Sequence, residues 1–370
     1  MTFHPLRDVR VIDMGLLLPG PVCALHLAWL GADVLKVEPP HGDAGRVLYD
    51  GAFFDTYNRG KRSIAIDLKT EQGRAVFLDL ADQADILIEN FRPGVAERLG
   101  IGAGVLQARN PRLIYCAITG FGSGSRASAP AHDLNFLARS GALGLPTTWS
   151  GQGRQSTRPA MPIADFGGAA MAVQAILAAL FERTRTGNGA RIEIAMQEVM
   201  LHWIGWRTSA DERADERAWT RHLEPANDLY LTADGRGIAI GAIESHLWRG
   251  LVAALEDAGA VLPPGAMDWD WQARRIHAQE LSDALAIVFA ARPLAEWLER
   301  LEAAGVPADP VNTPPEAFAD PWAIERKLVG DDGWIRPPLP GVGALSPAPA
   351  VDADGPAVRQ GMAWKAPPLA

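Results

Sequence analysis

Cysteine is nearly absent: the 370 residues hold two, Cys23 and Cys116, each inside an apolar stretch. That excludes a disulfide framework and predicts buried thiols in a reducing cytoplasm. Metal-ligand spacing is missing as well, since the eight histidines are scattered and no H-E-x-x-H, P-loop or cysteine cluster occurs. The first strand-like run leads into GLLLPGPV instead of a G-x-G-x-x-G turn, which argues against a dinucleotide site. Neither a metal nor a redox cofactor is expected. Positive charge is in deficit, with 35 Lys and Arg against 44 Asp and Glu and a net charge of -9. A broad nucleic-acid footprint or an anionic membrane partner is therefore not expected, and any anionic ligand must meet locally clustered basic groups. The longest apolar stretch, AAMAVQAILAALF, is short for a bilayer span, and the N-terminus lacks a basic segment followed by an apolar run. No export or membrane insertion is expected from these segments.

What remains is an ordinary globular composition, 48% hydrophobic and 21% charged, long enough for a large core and two domains. Strand-like and helix-like segments alternate through the first half: VRVIDMG, PVCALHLAWLG, ADVLKVE, RSIAIDL, EQGRAVFLDLADQA, DILIEN, RLIYCAITGFG, HDLNFLARSGAL, a long helix through FGGAAMAVQAILAALFERTRTGNG, and ARIEIAMQEVM. This pattern predicts an α/β fold, with a Rossmann-like parallel sheet covered by helices over residues 1–204. The polar stretch at 205–225 reads as a linker. NDLYLTADGRGIAIGAIE reads as a hairpin and three helical patterns follow it, giving a smaller α+β domain over 226–310. Proline density past Val306 suggests an extended return across the surface over 311–370.

Two residues stand just before helix-like segments, His132 in APAHDLNF and Asp165 in MPIADFGG. Bases of different type on the two faces of a weakly acidic C–H are what proton removal and return with inversion require. Either residue could equally be a plain N-cap. Gly167 and Gly168 leave room for a ligand or for close helix packing. Arg59, Lys61 and Arg62 in YNRGKRSIAIDL and Arg92 in NFRPG sit at loop junctions, where a phosphate could be held or where solvated charge could simply reside.

PGPVCALHLAWLGADVLKVEPPHGD, YNRGKRSIAIDLKTEQGR, DILIENFRPGVAERLG, NPRLIYCAITGFG and the long segment from ADFGG to ARIEIAM resemble the family III CoA-transferases (CaiB/BaiF), which include the α-methylacyl-CoA racemases. The resemblance runs from about residue 8 to about residue 200 and weakly onward through VPADPVNT. It implies an acyl-CoA enzyme in which coenzyme A is part of the substrate, and a homodimer of interlocked chains with its active site between large and small domains. It also implies that the basic cluster, with Lys36, meets the CoA phosphates.

Within this family the aspartate at position 165 serves transferases as a nucleophile and racemases as one of two bases. Racemases read Gly-His-Asp-x-Asn-Tyr where this chain reads Ala131-His132-Asp133-Leu134-Asn135-Phe136. The match at His132, Asp133 and Asn135 implies a racemase or epimerase of 2-methyl-branched acyl-CoA. In that reading His132 and Asp165 exchange the α-proton, the backbone N–H of Asp133 stabilises an enolate, and Glu244 in GAIE orients His132. A CoA-transferase using Asp165 as nucleophile is the alternative. A non-catalytic acyl-CoA-binding homologue is a third, since ANDLYLTADG lacks the Gly-Gly-x-Pro segment usual in both groups.

Overall fold

A computed structural model describes residues 3–144, 158–207, 224–339 and 344–362. The chain divides into two compact units, one formed by Met1–Ser140, Pro159–Ile204 and Leu328–Ala370, the other by Gly141–Arg158 and Gly205–Lys327.

The first unit is built on six parallel strands: β1 (Arg10–Asp13), β2 (Asp33–Glu38), β3 (Arg62–Ala65), β4 (Ile86–Glu89), β5 (Ile114–Thr119) and β6 (Arg191–Ala195), in the order β3-β2-β1-β4-β5-β6. Its inner strands are buried almost throughout, as befits a sheet covered on both faces, although charged residues such as Asp13 and Lys36 stand among their apolar ones. On one face Ile12, Leu35, Ile64, Leu87 and Tyr115 pack against Phe77 and Leu80 of α3 and Leu106 of α5. Helices of this unit include α1 (Pro19–Trp29), α2 (Ala52–Asn58), α3 (Glu71–Ala81), α4 (Val95–Arg98), α5 (Ala103–Arg109), α6 (Asp133–Ser140) and α7 (Ile163–Thr186), and α8 (Met196–Arg207) begins in it. Helix α1 is buried almost throughout because it lies between the sheet and α7. Gly31, at φ +94°, ends its turn, as Gly187 at φ +76° ends α7.

Among the described residues α7 is long and apolar enough to cross a membrane by length and composition. Its buried positions, Ala164, Gly167, Gly168, Ala169, Ala172, Val173 and Ile176, all precede its last ten residues, and the helix packs on α1, α6, β5 and β6. Gly167 and Gly168 serve this packing. A Cβ at Gly167 would come within 2.7 Å of the Trp203 ring, and one at Gly168 within 2.7 Å of Met196 Cγ, both side chains of α8. The space they leave is thus filled by a helix and not by a ligand.

The second unit carries a three-stranded antiparallel sheet, β7 (Leu229–Leu231), β8 (Gly237–Ile240) and β9 (Ala308–Pro310). The β7–β8 turn closes through Thr232 and Arg236, with Gly235 at φ +72°. Helices Ser245–Asp257, Ala278–Phe289 and Leu294–Ala303 bury Trp248, Leu251, Leu285, Phe289, Trp297 and Leu301 against this sheet. The stretch after Val306 is not continuously extended. Two short helices, Pro314–Ala319 and Pro321–Glu325, follow β9. Their prolines sit in first turns, where the missing N–H costs nothing, behind a Thr313–Glu316 capping box and the Asp320 side chain. Residues 311–327 belong to the second unit, and the part of the linker at 208–223 lies outside the described residues.

The chain then returns to the first unit along the open edge of β3. Asp354 accepts from the Ser63 amide and Asp352 from the Ala65 amide, each at 2.9 Å, while the Asp354 amide donates back to the Ser63 carbonyl. These bonds satisfy an edge that would otherwise present free backbone groups.

Candidate active site

The strand order reverses between β1 and β4, and in open parallel sheets ligands bind beyond the carboxyl ends of the strands at such a point. The β1–α1 loop passes there. Asn90, just after β4, clamps it from both sides: Leu16 N–H donates to Asn90 Oδ1 at 2.7 Å and Asn90 Nδ2 donates to the Leu16 carbonyl at 2.9 Å. The next residue, Leu17, is held at φ +60°, a conformation that non-glycine residues avoid. Together with Arg92, Thr119–Phe121, Ala131, His132, Asp165 and Met196, this loop lines a cleft of about 570 Å³.

His132 and Asp165, 33 positions apart in the chain, therefore meet in one cleft because α6 and α7 both start there. Asn135 Oδ1 accepts from the His132 backbone N–H at 2.9 Å and so fixes the entry to α6. The His132 side chain is exposed, and its imidazole makes no hydrogen bond among the described residues. The Asp133 backbone N–H lies in the first turn of α6, where helix amides have no intrahelical acceptor.

The first turn of α7 has no cap of its own, since Pro162 stands at the N-cap. Its acceptor comes from α6, where Asp133 Oδ1 takes hydrogen bonds from the amides of Ala164 (2.6 Å) and Asp165 (3.2 Å). Burial pushes the Asp165 carboxyl up to about 7, and the Asp133 carboxylate adds to the rise. A carboxyl so placed exists in both protonation states near neutrality, which is what a group that gives and takes a proton needs.

Asp165 also makes stability depend on pH. Its folded value lies above the unfolded one of 3.8, so its favourable contribution is complete below about pH 4 and is lost as pH rises through about 7. Asp165→Asn is accordingly expected to gain stability over the natural protein between pH 4 and pH 7 and to hold that gain above pH 8. The ceiling is about 4 kcal/mol at about 1.4 kcal/mol per pH unit, lowered by the partial access of solvent to the cleft. Urea denaturation of both proteins at pH 5 and pH 8 measures it.

The five basic residues assigned to CoA are not gathered at the cleft. Lys61 is buried, and its ammonium donates to Asp13 Oδ2 (2.8 Å), the Pro21 carbonyl (2.9 Å) and Asn58 Oδ1 (2.8 Å), which uses all three of its protons. Lys36 is fully buried, donates to the Gly15 carbonyl at 2.7 Å and pairs with Asp43 at 3.1 Å. Burial opposes the charges of Asp13 and Lys61, yet Lys36 and Lys61 hold the Asp13 carboxyl below its usual range, while the Lys61 amine is lowered to about 8. Arg62 forks onto Asp33. Arg59 pairs with Asp332 at 2.8 Å and lies over the Trp334 ring. Lys36 and Lys61 thus direct their charge to Asp13 and Asp43 within the first unit, as desolvated ammonium groups do when carboxylates are near. Arg92 alone of the five lines the cleft.

A second pocket of about 370 Å³ opens beside the first, between Val37–His41 after β2 and Ile66–Lys69 after β3, and it shares Leu16 and Phe91 with the main cleft. His41 and Lys69 in its wall, and the Asn90 clamp, escaped the sequence reading, although Asn90 stands in the very motif that singled out Arg92. Glu244 occupies the N-cap of helix Ser245–Asp257 in the second unit. The carbonyls just before it, Ala242 and Ile243, are held by buried Arg274 at 3.1 and 2.5 Å.

Comparison with known proteins agrees with this picture. The family model described as CoA-transferase family III matches residues 6–355. The chain is 37% identical to human alpha-methylacyl-CoA racemase over 320 residues, 83% of this chain and 78% of that protein. It is 33% identical to the acetyl-CoA:oxalate CoA-transferase of Acetobacter aceti over 352 residues, 90% and 87% of the two chains. The crystal structure of Rv3272 from M. tuberculosis superposes with a TM-score of 0.84 at 30% identity, covering 97% of this chain and 100% of that one. Racemases and CoA-transferases thus both stand among the relatives.

Proposed function

Because the chain belongs to CoA-transferase family III, we propose that it is a racemase or epimerase of 2-methyl-branched acyl-CoA thioesters, acting by two-base proton transfer through an enolate. The observation that carries this reading is the pairing of His132 with Asp165 in one cleft, with the Asp165 carboxyl raised to about 7. Neutral His132 takes the α-proton of one enantiomer while protonated Asp165 delivers its own proton to the opposite face. The reverse run starts from imidazolium and carboxylate. Negative charge that builds on the thioester oxygen in between is met by the Asp133 amide and the positive end of α6.

An acyl-CoA is long, and the two pockets lie side by side, with Leu16 and Phe91 in the walls of both. In this reading the adenine occupies the apolar pocket, with Lys69 and His41 near its phosphates, Arg92 stands beside the connecting chain, and the thioester reaches His132 and Asp165. A homodimer suits the exposed apolar side chains Leu177 and Phe181 of α7 and Leu201 and Trp206 of α8, which a second copy would cover. Two buried thiols suit a cytoplasmic setting.

The deciding experiment is proton NMR of a 2-methylacyl-CoA with the purified protein in deuterium oxide. Loss of the α-proton signal with no second acid present is the expected result. An unchanged α-proton, with CoA passing to an added carboxylate and an Asp165 adduct trapped by hydroxylamine, would make the protein a transferase. Saturable binding with neither exchange nor transfer would leave an acyl-CoA-binding protein.

A further inference from the structure

We propose that the side chain of Asp133 is the positioning residue for Asp165, clamping the first turn of α7 to the start of α6 and setting a negative charge beside that carboxyl. The inference rests on the proton-transfer reading of Asp165 and extends it to a residue whose backbone alone had been given a role.

A helix normally draws its cap from the residue at its own N-terminus. Here Pro162 fills that place without a side-chain acceptor, and the acceptor arrives from 31 positions upstream, at 2.6 Å from Ala164 N and 3.2 Å from Asp165 N. The acceptor of this cap, Asp133, is the immediate neighbour of His132, and the His132 N–H is itself tied to Asn135. One carboxylate therefore links the backbones that carry the two bases, and a displacement of either helix start is passed to the other.

The same carboxylate opposes ionisation of Asp165. Burial is the larger cause of the rise to about 7, and Asp133 is the charged neighbour that adds to it. The other titratable and charged groups lining the cleft are His132, at the entry to α6, and Arg92, after β4. Both are cationic when charged and would act in the opposite sense. The arrangement assigns Asp133 two separable tasks, geometry through its oxygen and proton affinity through its charge.

Two substitutions separate them. Asp133→Asn keeps an oxygen that can accept from the α7 amides and removes the charge; Asp133→Ala removes both. The full-length protein is labelled with [γ-13C]aspartate, the Asp165 carbonyl resonance is assigned by its disappearance in Asp165→Asn, and it is titrated by NMR in each background. In Asp133→Asn the Asp165 midpoint is expected to fall from about 7 toward the ordinary carboxylate range, with the melting temperature little changed. Each pH unit of that fall costs about tenfold in protonated Asp165 at neutral pH, and inversion of the substrate enantiomer whose α-proton His132 takes falls in proportion. Asp133→Ala is expected to lose thermal stability as well.

An Asp165 midpoint in Asp133→Asn equal to that of the natural protein would overturn the proposal. The titration does not require turnover. If the natural protein proves unable to exchange the α-proton, the function above fails while the NMR result still decides what Asp133 does to Asp165.

Discussion

On the proposed two-base reading, His132→Asn and Asp165→Asn are each expected to lose racemisation by about 10²- to 10⁴-fold, the usual weight of a positioned general acid or base, with neither variant inert toward substrate. Each variant retains one base, and that base still faces one side of the α-carbon. With His132 removed, Asp165 goes on exchanging the α-proton of the enantiomer that presents hydrogen to it, and that enantiomer takes up deuterium with its configuration kept. With Asp165 removed, the other enantiomer does so. Chiral chromatography of the thioester, combined with mass spectrometry of its deuterium content, follows inversion and exchange separately. A one-base mechanism in which the enolate turns over within the site predicts something different: one variant dead in every assay and the other nearly normal. Exchange of both enantiomers by either variant would exclude the two-base reading.

Lys61→Met costs about 3–5 kcal/mol of folding stability, the usual result of removing one partner from a buried ion pair. Its ammonium is surrounded by Asp13, Asn58 and the Pro21 carbonyl with side chains fully enclosed. Methionine fills a similar volume and can satisfy none of them. Asp13 then retains only Lys36, at 3.8 Å, while continuing to accept from the Gly15 amide at 2.8 Å. Burial lowers the proton affinity of Lys61, which means that the pair itself adds little net stability over an apolar replacement. The loss in the single variant comes from the orphaned carboxylate. Asp13→Leu combined with Lys61→Met is therefore expected to recover a good part of it. Urea denaturation at pH 7 of the two single variants and the double variant gives the coupling energy. A fully additive double variant would show that the pair does not act as a unit.

The sheet and the long helices were legible because they are written in local apolar periodicity: Ile12, Leu35 and Leu87 announce buried parallel strands, and α7 runs from Ile163 to a glycine stop. His132 and Asp165 were legible through their motifs. Lys36 and Lys61 were not, because a cation's neighbours in sequence do not tell whether a carboxylate 48 positions away will reach it, as Asp13 reaches Lys61. The Asp133 cap was hidden for the same reason, since it spans 31 positions. Proline misled after Val306, where it marks helix first turns at Pro314 and Pro321 as readily as an extended chain. Arg274 gave no local signal at all: its targets, Ala242 and Ile243, are backbone carbonyls.

The segment that seals β3 leaves the ribosome long after the strand it seals. Ser63 and Ala65 emerge early, while Asp352 and Asp354, which occupy their amides, follow almost 290 residues later. Until Asp352 and Asp354 emerge, the first unit has a margin able to pair with a foreign strand, while the second unit, contained within Gly141–Lys327, has all its residues available sooner. Newborn chains are thus most vulnerable to aggregation after that inner unit has closed and before the tail has been laid down, and a stop codon placed between Lys327 and Asp352 would leave them in that condition permanently.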